Sequence, residues 1–299
     1  MSRNLAYFAA MSLIWGLTWA AVKFALVEIP PLLLAAVRYL LTATLLIGAG
    51  RGAGAAFCDG RAIRTIASAL LINTGTYGLL FWGMQHVPSG LSALVNLALT
   101  PIMLFALAVA TKEERPSWPH AIALAIGCAG LVGLFWTRLG EGNDGSALGL
   151  AAIVAGTASY CVGSVIARAL VGPVKPLALT LVQAAIGGMA LLALSMFFEP
   201  LTAGIFSKLV MPAVLGSLLF LSMLGTIVAY TVYLVLLREW GTVRAGLYAF
   251  VSPIMALASG ALLFGERIGW AEAGGTALLL MAAGAALFRP SEPQRRLDG

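Results

Sequence analysis

An arginine inside an apolar run is the first residue of this sequence that calls for a chemical account. Arg38 lies in PLLLAAVRYLLTATLL, about two helical turns from the start of the run. A charge at that depth in a bilayer costs roughly 2.5 to 3.5 kcal/mol on insertion scales unless it finds a partner or water. Glu28, across a short loop, would be a structural partner, and the carboxylate of a bound substrate would be a functional one. The structural pairing is preferred, because the internal repeat described below matches Arg38 to an uncharged residue, Gln183.

Other polar and aromatic residues recur at helical spacing, which puts them on shared faces. Trp15, Trp19 and Lys23 follow one another at four-residue steps, as do Tyr160, Ser164 and Arg168. Asn73, Tyr77 and Phe81 share a face, and Thr226, Tyr230 and Tyr233 share another. Ser89, Ser92, Asn96, Thr100 and Met103 form a polar stripe whose repeat counterparts are Gly241, Arg244, Tyr248, Ser252 and Met255. Such faces suit a small-molecule pocket, and they also suit interhelical hydrogen bonding. The candidate substrate-binding set is Trp15, Trp19, Arg38, Asn73, Tyr77, Asn96, Tyr160, Ser164, Gln183, Tyr230 and Tyr248. Lys23 and Arg168, near helix ends, are read as snorkelling to the interface. Pro101 and Pro253 interrupt backbone bonding at equivalent depth and are candidate hinges.

Catalysis finds little support. His86 and His120 form no H-x-x-x-H arrangement, and no nucleophile has a His and an acid nearby in sequence. Cys58, Cys128 and Cys161 are widely spaced, so neither a disulfide framework nor a metal site is indicated. No enzyme, no cofactor and no metal are expected. Nor does any acid fall mid-helix: Glu113 and Glu114, like the rest, sit at helix ends, in loops or in polar segments, so no buried carboxylate relay is expected.

The elements that must hold these residues are membrane helices. The chain of 299 residues is 61% hydrophobic and 10% charged, with mean hydropathy +0.97, more apolar surface than a soluble core could bury. Its net charge of +6 is spread singly between apolar runs and does not point to nucleic acid. Ten spans of sufficient length are read at 5–27, 31–49, 63–85, 89–110, 119–136, 147–167, 176–198, 212–237, 242–264 and 270–288. The first is longer than the apolar core of a signal peptide and is read as a helix that is kept. Thirteen of the 18 Lys and Arg residues fall in loops or at span ends on one side; Arg138, Lys208 and Arg267 fall on the other, and Lys23 and Arg38 deeper within helices. That bias predicts both termini in the cytoplasm.

The chain also repeats itself. Pro101-Ile102-Met103 matches Pro253-Ile254-Met255, Glu114-Arg115 matches Glu266-Arg267, and Trp118 matches Trp270. A slightly smaller offset pairs Trp15 with Tyr160, Lys23 with Arg168, Pro31 with Pro176 and Arg38 with Gln183. The expected units are residues 1–140 and 146–290, each of five helices, with a tail at 291–299. Because five is odd, the second unit enters the membrane from the opposite side, giving inverted repeats with a substrate site between them near the midplane.

The opening WGLTWAAVKFAL, the LLAAVRYLL of the second span, GLSALVNLALTPIMLFALAVATKEERPSW and AGLYAFVSPIMALASGALLFGERIGW together resemble the EamA-type transporters of the drug/metabolite transporter superfamily. The likeness covers nearly the whole chain and is greatest to bacterial exporters of amino acids and related metabolites. It implies an all-α integral membrane fold of ten helices in two inverted repeats, in the bacterial inner membrane. It also implies export of small metabolites, neutral or aromatic amino acids first among them, by alternating access around a central cavity. The alternative is a flippase for lipids or lipid-linked sugars, as in other members of the superfamily. The expected partners are a small-molecule substrate and membrane lipid, with the protein working as a monomer. One departure stands out: the first copy reads Lys112-Glu113-Glu114-Arg115 where the usual pattern is Gly-Glu, which the second copy keeps at Gly265-Glu266.

Overall fold

The computed structural model describes residues 2–48, 50–84, 86–87, 89–115, 118–139, 147–264 and 269–287; some side chains within its helices, those of Trp19 and Lys23 among them, lie outside the description. The described chain is helical throughout. In order it forms α1 (Ser2–Leu26), α2 (Pro31–Leu46), a short 3-10 helix (Ala53–Phe57), α3 (Ala62–Ala69), a π-helical segment (Leu70–Gly75) and α4 (Thr76–Met84). There follow α5 (Ser89–Ala110), α6 (Trp118–Leu139), α7 (Ala147–Leu170), α8 (Pro176–Phe198) and the short α9 (Ala203–Lys208). The last elements are α10 (Pro212–Phe220), a second π-helical segment (Leu221–Val228), α11 (Ala229–Gly246), α12 (Tyr248–Phe264) and α13 (Trp270–Leu287).

Apolar composition drives these runs into helices, because in hydrocarbon every backbone amide must bond within its own segment. Several stretches, including Ala147–Leu170 and Pro176–Phe198, are long and apolar enough to cross a bilayer. Prolines set three starts: Pro31, Pro176 and Pro212 occupy the first turns of α2, α8 and α10, where a missing N–H costs nothing. The reading of the spans differs from the structure by a few residues at most ends and by more around the eighth and ninth. The fourth and seventh have the bounds read from the sequence, but helicity continues from α10 past residue 237 to Gly246, across a break at Gly241 (φ 83°, ψ 173°) that only glycine adopts freely. The sequence reading also passed over the 3-10 helix and α9, two short elements that lie in its loops.

The packing pairs helices across the repeat in matched fashion. α1 lies against α12 and α10–α11, while its counterpart α7 lies against α5 and α3–α4. The remaining large contacts join α2 to its own counterpart α8, and α6 to its own counterpart α13. Both of those pairs are antiparallel. Gly188 of α8 lies so close to Tyr39 and Leu40 that a Cβ would stand 3.1 Å from each, and Glu199 at the far end of α8 bonds the amides of Leu32 and Leu33 at the start of α2. Likewise Gly130 abuts Leu279, and Gly133 abuts Gly275. Self-paired, antiparallel helices require a pseudo-two-fold axis perpendicular to them, so the halves are inverted copies.

Candidate functional site

The two π-helical segments shape the centre. A π turn adds a residue to the helical turn and frees carbonyls for side-chain donors. Thr76 and Thr226 each bond the carbonyl five residues back, Leu71 at 2.9 Å and Leu221 at 3.0 Å. The widened turns also take outside donors: Ser159 bonds the Leu71 carbonyl at 2.8 Å, and Trp15 Nε1 bonds the Gly225 carbonyl at 3.0 Å.

Arg38 projects from α2 onto the second of these segments. It is 7% exposed, with Nε donating to Thr226 Oγ1 at 2.9 Å and Nη1 to the Tyr77 hydroxyl at 3.2 Å. Its guanidinium lies 5.2 Å from the Tyr39 ring centre and 5.8 Å from that of Tyr77, close enough for cation–π attraction. No carboxylate among the described residues reaches it. The pairing with Glu28 expected from the sequence is not made: Glu28 pairs at 2.7 Å with Lys208, the last residue of α9. A cavity of about 10 Å³ opens beside Arg38, lined by Val22, Leu34, Ala35, Tyr77, Phe81 and Leu221. That is room for about one water, so the bundle is closed around its buried cation.

Gln183, the repeat counterpart of Arg38, has a partner for both its side-chain nitrogen and its side-chain oxygen. Its Nε2 donates to Ser68 at 2.7 Å, its Oε1 accepts from Tyr230 at 2.7 Å, and its backbone carbonyl accepts from Asn73 Nδ2 at 2.8 Å. Asn73 is buried against Gly187, where a Cβ would stand 2.4 Å from its own Cβ. This polar knot ties α3 and the first π segment to α8 and α11.

An aromatic group adjoins both. Trp15 packs at 4.4 Å from Tyr248 and 5.4 Å from Tyr233, and Tyr160 lies 6.1 Å from Tyr233 and 6.5 Å from Tyr248. Among the described residues, the hydroxyls of Tyr160, Ser164 and Tyr233 are buried beside one another here with no partner in hydrogen-bond geometry. Trp15 connects the group to Arg38, since Gly225 and Thr226 are neighbours on one turn. The structure thus brings Trp15, Arg38, Asn73, Tyr77, Tyr160, Ser164, Gln183, Tyr230 and Tyr248 to the centre of the bundle. Asn96 stands apart on α5, bonded to Thr157 of α7 at 3.0 Å, and the side chain of Trp19 lies outside the described set. Pro101 and Pro253 are buried, and α5 and α12 continue through them.

One residue departs from its sequence reading, and its partner adds a burial that the reading did not address. Arg168 does not snorkel free: it pairs with Glu113 and donates from Nε to the Leu237 carbonyl at 3.2 Å. Glu113 is at a helix end, as read, yet its side chain is only 8% exposed. Nothing local in the sequence marks that burial; the signal was the departure from Gly-Glu. The neighbouring Glu114 carboxyl is held above the usual carboxylate range by burial, against the opposing pull of Arg244.

One family accounts for both copies. The EamA-like transporter family matches residues 3–136 and again residues 147–288. The chain belongs to this family. Among named relatives, the inner membrane transporter YedA of Escherichia coli is 29% identical over 303 residues, covering 95% of this chain and 92% of that protein. A probable amino-acid metabolite efflux pump of Salmonella typhimurium is 27% identical over 303 residues, covering 94% and 93%. A solved crystal structure superposes with a TM-score of 0.78 at 19% identity over 96% of each chain, which speaks for the fold alone. As an EamA-like transporter the chain is a multi-pass inner-membrane protein that carries a small molecule; the family and these relatives are transporters and not enzymes.

Proposed function

We propose that this EamA-like transporter exports small metabolites bearing a carboxylate, neutral or aromatic amino acids first among them, by alternating access around the space between its two five-helix units. The observation that carries the reading is Arg38, a buried guanidinium whose partners among the described residues are neutral hydroxyls and tyrosine rings. A buried charge without its counter-charge is costly, and a substrate carboxylate would neutralise it with charge-assisted bonds. Gln183, uncharged and bonded through both its side-chain nitrogen and oxygen, offers the other half no such demand, so the anion belongs on the Arg38 side. The substrate side chain then extends past Gly225 toward Trp15, Tyr160, Tyr233 and Tyr248, where the unpartnered hydroxyls of Tyr160 and Ser164 await a polar group. The efflux-pump name of a relative supports the same class.

On this reading both termini are cytoplasmic, Pro101 and Pro253 are the points of flexure, and the closed centre is an occluded state between the two open ones. Counterflow in proteoliposomes tests it. Purified protein exchanging a labelled amino acid across the bilayer is the expected result; indifference to every amino acid together with movement of a lipid-linked substrate would replace this reading with a flippase.

A further inference from the structure

The end of the bundle where α5, α7 and α11 meet holds a cluster that central substrate binding does not use. At Gly241 the helical path of α11 breaks, and the Leu237 carbonyl on one side and the Thr242 amide on the other each take a side-chain partner. Each is taken by one member of an ion pair. Arg168 Nε donates to the Leu237 carbonyl at 3.2 Å, Glu113 Oε1 accepts the Thr242 amide at 2.8 Å, and Glu113 Oε2 accepts the Thr242 hydroxyl at 2.9 Å. Arg168 and Glu113 then pair with each other directly over Gly241, where an added Cβ would stand 3.3 Å from Glu113 Oε1 and 3.4 Å from Arg168 Nη2.

Glu113 comes from the first half of the chain, and Arg168, Leu237 and Thr242 come from the second. The ion pair therefore crosses between the units that must rock against each other. It also sits one turn below the Ser164 hydroxyl on the same face of α7, so separating it would open a path from this end to the unpartnered hydroxyls around Tyr233.

We infer that Glu113 is the latch of this end of the transporter: a positioning residue that acts through Arg168 and Thr242, and whose release from Arg168 governs how often the central site opens to the side on which Glu113 lies. The residue stands in the copy that departs from Gly-Glu, and the break at Gly241 gives it something to hold. By the topology proposed above that side is the cytoplasm; the latch itself does not depend on the substrate class.

The test uses the full-length protein with Cys58, Cys128 and Cys161 replaced by Ser and Ser164→Cys as the reporter. Its labelling by a membrane-impermeant maleimide is timed in inside-out vesicles and in intact cells, so success or failure is independent of whether amino acids are the cargo. Arg168→Gln leaves Glu113 on Thr242 and removes the ion pair together with the Arg168 bond to the Leu237 carbonyl; it should speed labelling from the Glu113 side at least tenfold, and Arg168→Lys should return it to near the parent rate. Glu113→Gln, which keeps an acceptor for Thr242, should match Arg168→Gln. If Glu113→Gln fails to give monodisperse protein, the Arg168→Gln and Arg168→Lys pair decides alone, and if Arg168→Gln fails, Glu113→Gln decides with Arg168→Lys as the control. If both fail, Arg168→Lys decides against Thr242→Val, which should label faster than the parent. Labelling no faster than the parent in folded variants, or faster only from the opposite side, overturns the latch.

Discussion

Thr76 and Thr226 make the same bond in opposite halves: each hydroxyl turns back onto the carbonyl five residues earlier, at 2.9 Å and 3.0 Å, and each closes a π-helical turn. The two turns differ in what they face. Thr226 also accepts from Arg38, whereas Thr76 has no charged partner among its hydrogen bonds. Thr76→Val should cost about 1 kcal/mol of stability, the usual worth of one such bond, with transport kinetics unchanged. Thr226→Val should cost a similar amount and in addition raise the KM for a carboxylate substrate. Thermal unfolding in detergent together with proteoliposome kinetics separates the two effects.

Tyr230→Phe leaves Gln183 Oε1 buried without its donor, and a stranded buried acceptor costs about 1 to 3 kcal/mol. The expected outcome is a less stable protein that still discriminates a carboxylate from its amide. Loss of that discrimination would move the anion site from Arg38 to the Gln183 knot.

How much of this could be read beforehand follows from the residues. Pro31, Pro176 and Pro212 set helix starts by their missing N–H, and the matched Pro-Ile-Met triplets disclosed the repeat, because both signals are local in the chain. The π turns were not legible: one extra residue per turn hardly disturbs an apolar pattern that is nearly continuous, although Gly75-Thr76 and Gly225-Thr226 carry the same dipeptide. Nearness along the chain points Glu28 to Arg38, while its partner Lys208 arrives from the other half through tertiary packing. Glu113 is buried over the break at Gly241, where it bonds the Thr242 amide, a circumstance that spacing along the first copy could not reveal.

Trp15 joins the arginine end of the site to the aromatic end through its bond to Gly225 and its edge-on contact with Tyr248. An aromatic pair contributes about 0.5 to 1.5 kcal/mol beyond its buried area, so Trp15→Leu should weaken aromatic amino acids relative to aliphatic ones by up to about tenfold. Competition counterflow with paired substrates measures that ratio. Equal loss for both classes would assign Trp15 to packing alone.

Cys58 is exposed after the 3-10 helix, Cys128 is partly buried and Cys161 is buried. With the proposed orientation, a membrane-impermeant thiol reagent should label Cys58 in inside-out vesicles and leave it unlabelled in intact cells. Labelling of Cys58 in intact cells would invert the topology and, with it, the side on which Glu113 acts.

The direct measurement for the central claim is a cycle that removes the charge from Arg38 and from the substrate in turn. Exchange of an amino acid and of its carboxamide is compared in the parent protein and in Arg38→Gln, with Arg38→Lys as a control for folding. A charge-assisted bond contributes about 1.5 to 3 kcal/mol, so the parent should prefer the carboxylate by roughly 10- to 100-fold in KM, and Arg38→Gln should lose that preference. Arg38→Lys should keep part of it, since its point charge lacks the two-pronged donor face. An Arg38→Gln variant that folds, transports and still prefers the carboxylate as strongly as the parent would contradict the account.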